Sequence, residues 1–118
     1  MIERCCEAQI PLKFTAGLHH PVRNYDPGVR CHMHGFLNVF VAGVLSHALG
    51  LDIHDIRGVL DEIDPRQFTF TEDSLGWSEA AAAIDEVELA RRSRVISFGS
   101  CSFDEPREGL KDLGLLED

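Results

Sequence analysis

Four histidines and a cysteine fall within one short passage: His19 and His20, then Cys31, His32 and His34. Zinc takes neutral imidazole and thiolate, and three or four converging ligands suffice to hold it. The spacing matches no standard zinc finger, and His19 and His20, adjacent on an extended chain, point apart. His20, His32 and His34 are therefore the candidate ligands for a divalent metal such as zinc. The competing reading makes one histidine a loop hydrogen-bond partner and stacks another on Phe36.

Other groups suggest reaction or binding. Lys13 precedes Thr15 by two residues on an otherwise apolar segment, so the two share a face if the segment is a strand. A lysine withdrawn from water loses basicity and serves as a general base or Schiff-base nucleophile; on an exposed edge it instead guards against aggregation. Gly99-Ser100-Cys101-Ser102 leads into a terminal helix, where free N–H groups and hydroxyls suit a phosphate or carboxylate. Arg23 or Arg30 would supply positive charge there, which Asp104 and Glu105 oppose. Cys101 acts as a nucleophile only with His19 or His20 beside it; otherwise it is a buried, inert thiol. His34 and Asn38, one helical turn apart, line a pocket or satisfy each other. The candidate catalytic residues are thus Lys13, His19, His20 and Cys101, and the candidate ligand-binding residues are Thr15, Arg23, His34, Asn38 and Ser100.

The elements that must position these groups follow from local pattern. Ile2 to Gln9 reads as the last turns of a helix, and Ile10 to Gly17 as a strand with Leu12, Phe14 and Ala16 on one face. Leu18 to Val29 reads as a loop broken by His20-Pro21 and Asp26-Pro27-Gly28. A helix is expected from about Met33 to Leu49, stopped by Gly50. Asp52 caps a second helix whose stripe is Ile53, Ile56, Leu60 and Ile63, ending at Asp64-Pro65. Phe68 to Trp77 reads as a short hairpin, and Ser78 caps an alanine-rich helix to about Arg92. Val95 to Ser102 is a strand entering a glycine-serine turn, and a last helix runs from Asp104 towards Gly114.

From Cys31 to Leu51 no residue is charged unless a histidine is protonated, a stretch about as long as a membrane span. It holds His32, His34, Asn38, Ser46 and His47, which a lipid-facing helix would have to desolvate. A helix buried on most sides of a globular core is the better reading.

The chain has 118 residues, 11 basic against 20 acidic, with a formal charge of −9. That length predicts a single α/β domain over residues 1–118 with one modest core. The acidic surface repels phosphate backbones, so neither nucleic acid nor an anionic membrane is an expected partner. A small anionic ligand in a local basic pocket remains compatible with it. The four cysteines lack paired metal or redox spacing, and no basic stretch with an apolar run opens the sequence. A reducing, cytoplasmic setting is the expectation.

Three phrases have a further resemblance. Lys13-Phe14-Thr15-Ala16-Gly17-Leu18-His19-His20-Pro21, Met33-His34-Gly35-Phe36-Leu37-Asn38-Val39 and Ser97-Phe98-Gly99-Ser100-Cys101-Ser102-Phe103 resemble the C-terminal part of a conserved bacterial protein family of unknown function. Its members are longer, with an N-terminal half suggestive of barrel strands. The resemblance covers nearly the whole chain and implies no activity. This chain departs from it by starting in the middle of a helix.

The expected fold class is α/β: a small parallel sheet with helical crossovers, resembling part of a (β/α)8 barrel, with four to five helices. Two strands cannot close such a barrel, which needs about eight. Two functions compete. One is a His-rich pocket for a small ligand or metal at the C-terminal ends of the strands, with catalysis left open. The other is a non-catalytic homo-oligomeric assembly module, a remnant of a larger barrel enzyme. Self-association is expected because one small sheet offers too little cover for so apolar a helix.

Overall fold

The computed structural model describes residues 2, 4, 8, 10–14, 20–28, 30–93, 95–98 and 104–115; for 12–14, 26, 95–98 and 104–106 it describes the backbone alone. The chain forms β1 (Leu12–Phe14), β2 (Asn24–Asp26), β3 (Cys31–Met33), α1 (Phe36–Leu49) and α2 (Ile53–Asp61). A single 3₁₀ turn (Pro65–Gln67) leads to β4 (Phe68–Phe70), β5 (Ser74–Trp77) and β6 (Ala80–Ala83). α3 (Ile84–Ser93), β7 (Val95–Phe98) and α4 (Asp104–Asp112) follow.

The expected parallel, barrel-like sheet is not built. The architecture is mixed α/β, and five of the strands lie in two small antiparallel sheets, ordered β2-β3 and β4-β5-β6. The connections dictate this: residues 27–30, 71–73 and 78–79 are too short for anything but antiparallel returns, whereas a parallel pair needs a crossover of about a dozen residues or more. Among the described strands, parallel pairing is confined to β1 with β7, joined by the long middle of the chain. Phe14 sits opposite Phe98, and a register shift follows Leu12.

α1 is the centre of the molecule. Val41, Ala42, Val44 and Leu45 pack with Ile56 and Val59 of α2, Phe68 of β4, Ala82 of β6 and Ala90 of α3. Its uncharged sequence is thus covered by its own chain on most sides, as a core helix. No helix among the described residues is long and apolar enough to cross a membrane.

Helix ends follow local chemistry. Gly50 adopts φ 65° and donates its N–H to the Ser46 carbonyl at 2.9 Å, closing α1. The Asp52 carboxylate accepts the Asp55 N–H at 2.8 Å, capping α2. At α4 the Leu115 N–H reaches the Leu110 carbonyl and the Gly114 N–H that of Lys111, both at 2.9 Å, a Schellman closure around Gly114 at φ 73°.

Four local expectations need correction. α1 begins at Phe36 rather than near Met33, because Cys31–Met33 pairs with Asn24–Asp26 in a hairpin across the expected loop. The stripe of α2 is Ile56, Val59 and Leu60; Ile53 and Ile63 are 56% and 65% exposed. α2 also ends at Asp61, before Asp64-Pro65. Lastly, the alanine-rich helix starts at Ile84, since Ala80–Ala83 forms an edge strand and Ser78, at φ 53°, turns the chain into it. Alanine favours helix locally, but pairing with β5 and burial of Ala82 under α1 outweigh that preference.

Candidate functional site

His20 and Pro21 are held by backbone contacts. The His20 carbonyl accepts the Phe36 N–H at 3.0 Å and the Pro21 carbonyl accepts the Leu37 N–H at 2.8 Å. These bonds satisfy amides at the start of α1 that would otherwise need a cap. Gly35 permits the approach, because a Cβ there would lie 2.3 Å from the Pro21 carbonyl oxygen and 2.5 Å from the Val22 backbone. Pro21 also abuts α4, where a Cβ on Gly109 would meet its Cδ at 2.5 Å. Pro21 is therefore wedged between α1 and the helix that follows β7.

The expected metal ligands do not gather. His20, His32 and His34 are all exposed, and no group of three or more His, Cys, Asp or Glu among the described residues is placed to hold a metal ion. The physical reason is the β2-β3 hairpin. Within β3 successive side chains alternate in direction, so His32 faces Tyr25 across the pair, with ring centroids 5.5 Å apart and nearly edge-on. Phe36 is buried at the start of α1.

No family model, curated protein or solved structure matches the chain.

Asn38 and Arg23, expected to contact ligand, hold the fold together. Asn38 is fully buried; its Nδ2 donates to the carbonyls of Val59 and Glu62, each at 2.8 Å, and more distantly to that of Leu60. Its Oδ1 accepts the Arg23 N–H at 2.9 Å. Both amide donors are thus committed to the last carbonyls of α2, which a helix end leaves open. The Arg23 guanidinium lies 3.6 Å from the Asp61 carboxylate at the same helix end. His34 and Asn38 do not share a pocket: one is exposed ahead of α1 and the other lies inside the core.

Lys13 is described by its backbone alone, and Thr15, His19, Ser100 and Cys101 lie outside the described residues. β1 and β7 run in the same direction, with Phe14 opposite Phe98.

Two arrangements escaped the pattern-based reading. Glu62 Oε1 accepts the Trp77 Nε1–H at 3.0 Å, while its Oε2 accepts the N–H groups of Ile63 and Asp64. The indole lies over Gly58, where a Cβ would come within 2.9 Å of it, so α2 and β5 meet through Trp77. The second is a contact between Cys31 Sγ and Met33 Sδ at 3.9 Å. Its sequence signal is the alternation Cys-x-Met, legible only once Cys31–Met33 is known to be a strand.

Proposed function

We propose that the chain is a small-ligand-binding α/β domain whose site lies where β1 and β7 end side by side, and that it works in the cytoplasm. The parallel register of Phe14 with Phe98 carries this reading. Ligands of open α/β structures collect beyond the carboxyl ends of parallel strands, because successive loops converge there. Lys13 belongs to β1, and Thr15, His19, Ser100 and Cys101 to the two segments that leave this pair. Hydroxyls, a lysine and imidazoles suit a small anion, with His20 at the edge of the site. Lys13 and Cys101 are the groups able to act as nucleophiles if the site is catalytic.

Amide resonances followed during titration with inorganic phosphate, and separately with citrate, test this reading. Saturable shifts confined to residues 13–20 and 97–104, weakened in Lys13→Ala and Ser100→Ala, are expected. Shifts absent from both segments with either anion would overturn it.

A second reading, a homo-oligomeric assembly module, rests on β6. This outer strand of its sheet consists of four alanines without charge or proline, the features that usually protect an edge. A second copy pairing along Ala80–Ala83 would satisfy it. The apolar α1 no longer argues for association, since its own chain covers it. Light scattering distinguishes the readings: a monomer at all accessible concentrations removes the assembly module and leaves the ligand site standing.

A further inference from the structure

We propose that two copies of the chain join β6 to β6, antiparallel about a two-fold axis at Ala81, so that their three-stranded sheets become one. This pairing deepens the assembly-module reading and rests on it. The Ile84 N–H donates to the Asp73 carbonyl at 2.8 Å, continuing the β5-β6 register one pair beyond Ser74 and Ala83. Bonding along an antiparallel strand alternates towards and away from its neighbour. Ala80 and Ala82 therefore bond to β5, opposite Trp77 and Leu75, while Ala81 and Ala83 turn their N–H groups away from it. No strand lies beyond β6 among the described residues.

The polar groups on this edge match their own copies. The Ala83 carbonyl belongs to the first turn of α3, because the residue before a helix accepts its opening bond. The N–H groups of Ala81 and Ala83 and the Ala81 carbonyl point outward. So does the Glu79 carbonyl, which opposes the Ala80 N–H across one planar peptide. With the axis at Ala81, each Ala81 N–H meets the partner's Ala81 carbonyl, and each Ala83 N–H meets the partner's Glu79 carbonyl. Every outward group is then satisfied in both copies. The neighbouring symmetric register, centred on Ala82, leaves the Glu79 carbonyl unpaired. It also sets Glu79 opposite the partner's Asp85, a pair of like charges. Ala82 is buried under α1, so the exposed Ala81 and Ala83 lie on the opposite face, where their methyl groups do not obstruct the approach. The ligand site proposed beyond β1 and β7 is separate from this edge.

Sedimentation velocity on the full chain, with oxidative cross-linking of Ala81→Cys and Ala83→Cys, tests the pairing. Wild type is expected to dimerise reversibly, and more tightly as salt screens the formal charge of −9 on each copy. Ala81→Cys should give a covalent dimer beyond any formed by wild type, because opposed Cα atoms about 5.5 Å apart suit a disulfide. Ala83→Cys should not, since its two copies lie four residues apart along the strands, about 13 Å. Ala81→Glu should weaken association about fivefold or more by opposing two carboxylates. A wild type that stays monomeric at every concentration overturns the assembly reading and this pairing with it. A dimer that lacks the Ala81→Cys cross-link, forms one through Ala83→Cys, or is undiminished in Ala81→Glu overturns the pairing alone.

Discussion

Asn38 Nδ2 stands 2.8 Å from the carbonyl oxygen of Val59, joining the first turn of the molecule's central helix to the last turn of the next. The same amide reaches Glu62 and, through its oxygen, the Arg23 N–H. A buried polar side chain in the first turn of an apolar helix is thereby matched at both ends, and Arg23 is tied to the α1–α2 pair.

Replacing Asn38 with Ala should be costly. It strands the carbonyls of Val59 and Glu62 and the Arg23 N–H in a buried setting, so a loss of about 3 kcal/mol is expected in urea unfolding. Asn38→Asp should be no better, since a carboxylate cannot donate to the carbonyls. A loss below about 1 kcal/mol for Asn38→Ala would show that the amide is not structural.

Two glycine substitutions should differ sharply. In Gly35→Ala the added methyl meets the Pro21 carbonyl at 2.3 Å, and backbone cannot yield cheaply. More than about 3 kcal/mol should be lost, or folding should fail. Gly50→Ala meets nothing within 4 Å and suffers only from its left-handed φ of 65°, about 1 kcal/mol. Thermal unfolding followed by circular dichroism ranks the two; equal effects would contradict the close approach of Gly35 to Pro21.

Trp77 is the sole tryptophan, and its bond to Glu62 makes it a reporter for the α2–β5 contact. Glu62→Ala should move the indole N–H resonance, shift the fluorescence emission and remove about 1 kcal/mol of stability. An unchanged indole resonance would mean that Glu62 does not hold the ring in solution.

Asp64 should titrate below its ordinary value of 3.8. The Arg66 side chain, hydrogen-bonded to it, is the main cause, helped by the Arg66 backbone N–H and, more weakly, by charge attraction, against a small desolvation effect. Because the folded carboxyl is the more acidic, its contribution is complete above the unfolded pKa. It is lost as the pH falls through the lower, folded value. The pair is exposed, so the effect on stability at neutral pH should be slight and should shrink with salt. A carbon-detected NMR titration of Asp64 in wild type and Arg66→Gln checks the direction: the variant should titrate at higher pH.

Local chemistry was enough to place the stop of α1 and the start of α2, but not the start of α1, the end of α2 or the start of α3. The left-handed glycine after Leu49, the carboxylate of Asp52 and the turn before Phe68 act within a few residues, so they are visible in order along the chain. The burial of α1 was equally legible, because an uncharged helix carrying Asn38, Ser46 and His47 fits a protein core better than lipid. Tertiary structure alone decided the rest. Whether Ala80–Ala83 became helix or strand depended on β5 beside it and α1 above it. Whether Cys31–Met33 extended α1 or formed a hairpin depended on Asn24–Asp26, a segment without strand-forming side chains apart from Tyr25. Those pairings set two antiparallel sheets beside the single parallel pair and left His32 and His34 exposed. They also drew Asn38 onto α2 and brought two sulfurs together. Short-range preferences amount to tenths of a kcal/mol per residue up to about one, whereas strand pairing and core burial sum over many contacts at once. The second kind of term cannot be read until the chain has chosen its neighbours.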